Sequence, residues 1–179
     1  FIENSDLFDR YGFRQIRPFF SRRIGLFNGD VIPIYGGIRL SGKINKYWRI
    51  GLMDMQTAEH AKSELAAENF GVFALQRTVF KRSNVAFIFV NRQTLQTSNF
   101  NRIAGLDYNL SSSDNHWFGK AFFHYSLNPV SDDDNYAHAT FLRYDNGKLG
   151  IEWNHEYVGA NYLAGAGFVT AVCSGIQLM

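Results

Sequence analysis

Along most of this chain, apolar and polar residues alternate at every second position, and that period constrains the fold more than any other feature. The stretch "LRYDNGKLGIEWNHEY", residues 142–157, shows it well. After its turn, Leu149, Ile151, Trp153 and Tyr157 occupy odd positions, while Gly150, Glu152, Asn154 and Glu156 occupy even ones. Side chains two apart on a strand share a face, so the stretch reads as a strand with two unlike faces. Segments 34–44, 47–57, 69–80, 84–92, 100–110, 117–125 and 136–145 also read as strands, although the contrast is weak in 84–92 and 117–125. The alternation slips at Met53–Asp54–Met55, where a bulge is expected. Asn146-Gly147 predicts a type I′ hairpin. Segment 57–68, "TAEHAKSELAAE", has helical character or is a loop.

The connections alternate too. Those around Asn45, Arg82, 111–115 and Asn146 are tight, and those at 58–68, 93–98 and 126–135 are longer. An up-and-down antiparallel meander of about eight or nine strands has this form, with turns at one rim and loops at the other. Outer-membrane barrels are built that way, and a soluble meander can be. Several segments reach about 9–11 residues, the length a tilted strand needs to cross a bilayer. Two readings follow. A soluble barrel or sandwich puts the apolar positions inside. A transmembrane β-barrel, whole or partial, inverts them. Then Trp48, Ile50, Leu106, Trp117, Leu149, Ile151 and Trp153 face lipid or form the interfacial girdle, together with Tyr125, Tyr144 and Tyr157. Arg39, Arg49, Arg92, Asp107, Lys120 and Glu152 face a wet lumen.

Composition narrows the function. The 179 residues carry 18 basic and 16 acidic side chains, a net charge of +2, with no basic cluster of the kind that binds nucleic acid. A single cysteine, Cys173, excludes an internal disulfide framework and a cysteine metal cage. No run approaches the ~18 apolar residues of a spanning helix. His60, His116, His124, His138 and His155 show no metal-ligand spacing, so no metal and no cofactor are expected. "SDDDN", 131–135, lacks the glycine and distal glutamate of a calcium loop and reads as a solvated loop. Glu152 and Glu156 on one strand stand ~13 Å apart, too far for a glycosidase pair. "GGIRLSG" lacks Gly-Lys-Ser/Thr, so its glycines serve curvature or close packing. The recurring arginines (22, 23, 39, 49, 77, 92, 102, 143) brace a wall or attract anionic solutes. No nucleophile–base arrangement is legible, and the chain reads as non-catalytic.

Seven stretches carry a resemblance: "ENSDLF", "RPFFSRRIG", "GGIRLSGKI", "IGLMDMQT", "RSNVAFIFVNRQ", "NRIAGLDYNL" and "YDNGKLG". Together they resemble, in order over residues 2–169, a family of large Gram-negative bacterial proteins. These join a domain like carbohydrate-binding module family 9 to a C-terminal β-barrel domain of unknown function. The resemblance implies a fragment at the start of the barrel. Residues 1–33 lead into it, with one strand expected within 17–26; residues 34–169 supply barrel strands; residues 170–179 are an atypical tail. It also implies the outer membrane of a Gram-negative bacterium and contact with outer-membrane lipid. Glycan would be met only through an upstream domain, and the barrel would serve as anchor or as pore and transport scaffold. The alternatives are a soluble carbohydrate-binding or glycan-active β domain and a soluble ligand-binding barrel.

Overall fold

The structure, a computed structural model, describes residues 6–27, 29–60, 65–129 and 133–169. The chain opens with α1 (Asp6–Asp9), β1 (Ile16–Arg17), a 3-10 turn (Ser21–Arg23), β2 (Leu26–Phe27) and β3 (Asp30–Val31). The long strands follow: β4 (Ile34–Lys43), β5 (Trp48–Thr57), β6 (Glu68–Val79), β7 (Ser83–Thr94), β8 (Phe100–Ser111), β9 (Trp117–Leu127), β10 (Tyr136–Asp145) and β11 (Gly150–Val158). A two-residue β12 (Phe168–Val169) ends the described chain. Each long strand pairs antiparallel with the next, so β4 to β11 form an eight-stranded meander. Its edges, β4 and β11, do not meet among the described residues, and the sheet is not closed into a barrel.

The sheet has a covered face and an open face. On the covered face, Met53, Val72, Ala74, Ile88, Val90 and Ile103 are buried beneath two segments that flank the meander. The first contributes Leu7, Phe8, Tyr11, Ile16 and Phe19; the second contributes Tyr162, Ala164 and Ala166. Burial of each large side chain contributes about 1.5–3 kcal/mol. Room for these segments comes from small residues in the wall. A Cβ at Gly51 would sit 2.7 Å from the Phe8 ring and 3.0 Å from Leu7, so a side chain there would push the first segment away. The two segments are joined by β1 pairing with β12, Ile16 opposite Val169 and Arg17 opposite Phe168.

Three local expectations change, and the segment after β5 keeps its loop reading among the described residues. The β5 strand runs unbroken through Met53–Asp54–Met55; the register shift lies on its neighbour, between Ile34 and Gly36. There Gly37 lets the strands approach, since a Cβ on it would stand 2.7 Å from the Asp54 carbonyl oxygen. The Asn146-Gly147 turn is not type I′, which needs two successive positive φ angles, because only Gly147 has one, at 81°. A longer loop forms instead: the Asn146 N–H donates to the Leu149 carbonyl at 3.2 Å, and its side-chain oxygen accepts from the Lys148 and Leu149 amides. Between β5 and β6 no helix forms among the described residues, and His60 bridges Leu65; residues 61–64 lie outside them. Segment 17–26 adds no strand to the sheet: Pro18, the 3-10 turn and Gly25 (φ 80°) interrupt it.

Candidate functional site

The open face carries the large apolar residues. Leu40, Leu52, Val85, Phe89, Leu106, Phe123, Ile151 and Trp153 all point away from the covering segments and are exposed. They follow the register of the sheet in rows, one of which runs Ile50, Leu75, Phe87, Leu106, Phe123, His138, Tyr157. From β5 to β8 the apolar run stays with its row, centred on Ile50, Phe87 and Leu106. At the β11 end of the sheet the run is Leu149, Ile151, Trp153, centred on Ile151, whereas the row of Ile50 reaches β11 at Tyr157. The apolar centre therefore leaves its row only across the last strands, and the apolar surface is a continuous belt over the open face. On β5, β7 and β8 it is bordered at the long-loop rim by Asp54, Asn91 and Arg102, which share one row.

Aromatic rings gather near the rims of this belt. Trp117 and Tyr144 stand 4.8 Å apart, and Arg77 lies over the Trp48 ring at 5.2 Å. Near the other rim Tyr136 stacks with Tyr157 at 5.4 Å, and His138 meets His155 at 5.2 Å. Arg77 and Arg102 thus belong to the open face, where each lies over a neighbouring ring.

The six charged residues singled out for the lumen all have covered-face parity, but in unlike settings. Asp107 is buried, 2% exposed, and serves three donors. His124 Nε2 donates to Oδ1 at 2.8 Å, while the Gly12 amide at 2.9 Å and Lys120 Nζ at 3.2 Å both reach Oδ2. The Lys120 ammonium also donates to the Arg10 carbonyl. A carboxylate can only accept, so the His124 proton sits on Nε2. Gly105 makes room for that imidazole, since a Cβ there would lie 2.3 Å from His124 Cδ2. Above them, burial first and the nearby Asp107 charge second push the Tyr11 and Tyr162 phenols well above the ordinary range. Arg49 donates to Gln76 at 3.0 Å, and Arg39 lies 4.7 Å over the Phe8 ring. Arg92 places Nε and Nη2 on one Glu68 oxygen, at 3.0 and 2.6 Å, and Nη1 reaches the Gly165 carbonyl at 3.5 Å. Glu152 stands opposite Arg143 and stays exposed.

Sequence reasoning set Asp107 and Lys120 on one side of their strands but missed that His124 joins them, and what all three grip. It also missed Asn101 and Ser126. The Asn101 amide donates to the Leu163 carbonyl at 3.0 Å and accepts from the Gly165 amide at 2.8 Å, and the Ser126 hydroxyl donates to Leu163 at 2.7 Å. Asp134, within the stretch expected to be a solvated loop, accepts from the Tyr157 hydroxyl and the Ala160 amide at 2.8 and 2.7 Å; 130–132 lie outside the described residues. None of these clusters sets a nucleophile beside a base. Among the described residues His124 hydrogen-bonds to Asp107 alone, and its Nδ1 faces no partner. The polar groups of the covered face hold chain segments. The chain matches no known family profile, no curated protein and no solved structure.

Proposed function

We propose that this chain is part of an integral outer-membrane β-barrel without catalytic chemistry, acting as an anchor. The observation that carries this reading is the continuous apolar surface on the open face, with aromatic rings near both rims. An exposed apolar surface of that extent needs a covering, and lipid covers such a face without any need for a complementary shape. The covered face supports anchor over pore, because chain segments fill it where a pore needs an aqueous path. In lipid the amides of β4 and β11 require pairing partners, which a second copy of the chain or additional strands would supply. A carbohydrate-binding-like domain carried on such an anchor is the cargo that the sequence resemblance suggests.

The test is to express the chain behind a secretion signal in a Gram-negative host. The expected result is recovery in the outer-membrane fraction, resistance to alkaline carbonate and extraction only by detergent. A soluble, monodisperse periplasmic protein would overturn the proposal. Glycan binding by such a detergent-free protein would then favour a soluble carbohydrate-binding domain.

A further inference from the structure

The first covering segment has features of a detachable part. It contributes no strand to the eight-stranded sheet, so it can leave without breaking the ladder. It is also tied to itself: Phe13 and Ile16 exchange two backbone hydrogen bonds at 3.0 Å, and Arg17 donates to the Asp9 carbonyl at 2.6 Å. Gly12 permits that turn, with φ at 74° and no space for a Cβ, which would stand 1.9 Å from the Ile16 carbonyl oxygen. Its polar attachments to the wall centre on Asp107. The Gly12 amide and, through Lys120, the Arg10 carbonyl meet there, and the Tyr11 hydroxyl donates to Phe87 nearby at 2.9 Å. Beyond these are the β1–β12 pairing, Arg39 over Phe8 and an outlying pair, Arg14 with Glu156 at 3.4 Å. With the segment away, Asp107 keeps Lys120 and His124 as partners, so the bare wall holds no isolated charge.

We propose that residues 7–19 form a plug that leaves and re-enters the covered face as one piece, with Asp107 as the latch that holds it through the Gly12 amide and the Lys120 bridge. Burial of Leu7, Phe8, Tyr11, Ile16 and Phe19 supplies most of the hold on this segment, and the Asp107 contacts supply its polar part. The latch does not depend on the membrane reading above.

Hydrogen exchange followed by mass spectrometry tests the latch on the full chain, in detergent or in plain buffer according to its solubility. Two variants are compared with the wild type. Asp107→Asn weakens the latch, and Asp107→Asn/Lys120→Met removes both buried charges so that neither is stranded. Peptides covering 7–19 should exchange at least tenfold faster in both variants, while those from β6 to β9 keep their rates. Equal rates in 7–19 would overturn the proposal, as would faster exchange in the plug and β8 together, which marks Asp107 as ordinary core. Should neither variant fold, Arg14→Cys/Glu156→Cys in a Cys173→Ser background gives a second readout. Joined by a reducible thiol-reactive linker, it should exchange more slowly over 7–19 than after reduction; no difference rejects detachment. Failure of the membrane reading registers separately, as a soluble protein, while the exchange result stands.

Discussion

Leu106 and Asp107 are neighbours on β8, yet one side chain is 57% exposed and the other 2%. Alternation alone placed them on opposite faces. It left the surroundings of Asp107 unread, because the groups that bury it lie 95 positions away, at Gly12. Carboxylate and ammonium were each visible as polar side chains facing one way, and that way was expected to be wet. The structure makes it dry around Asp107, where a charge demands paired donors. Leu106 gives the matching test on the open side. Leu106→Arg, in the middle of the apolar run of β8, should cost about 2–4 kcal/mol if it meets hydrocarbon. If it meets water, the change should stay within about 0.5 kcal/mol. Urea unfolding of the protein refolded into lipid vesicles separates the two outcomes.

The eight long strands were legible because a period of two survives any tertiary context that keeps one face apolar, and tight polar turns mark where each ends. Errors about the strands themselves were confined to places where geometry is not set by period: the bulge on β4, the Asn146 loop and the interrupted segment after Arg17. The covering segments were opaque for a related reason. Leu7, Phe8 and Tyr11 lie at a helical spacing, but the helix ends at Asp9 and Ile16 and Phe19 follow no strand period, since the segment packs as an irregular path across a wall. The second segment depends on side chains of the strands. Asn101→Ala removes its bonds to Leu163 and Gly165 and should cost about 1–3 kcal/mol. Faster hydrogen exchange across 159–169 would report it. The turn between β8 and β9 adds a pH signature. The Ser112 hydroxyl first, and the His116 amide second, hold Asp114 down to about 2, below the ordinary 3.8. Its folded value is the lower one, so its contribution is complete above the unfolded value and lost as pH falls through about 2. A carboxyl NMR titration of Asp114, compared with an Asp114→Asn variant for assignment, checks this.

Trp48, Trp117 and Trp153 are the only tryptophans, and all three lie on the open face. Fluorescence of the intact protein therefore reports on one surface. In vesicles of brominated lipid the emission should be strongly quenched, and aqueous acrylamide should have little effect; the reverse pattern would place that surface in water. The clasp of β1 with β12 bears on how such a molecule is made. Each strand of the wall can zip to its predecessor as a hairpin, but the clasp joins residues about 150 positions apart, a late event by loop-closure entropy. Until it snaps shut, the nascent wall is greasy front and back, with Val72, Ile88 and Ile103 bare on the side later upholstered. A wall in that condition is prone to stick to its neighbours, and residues 158–169, which carry the far half of the clasp, set when that exposure ends.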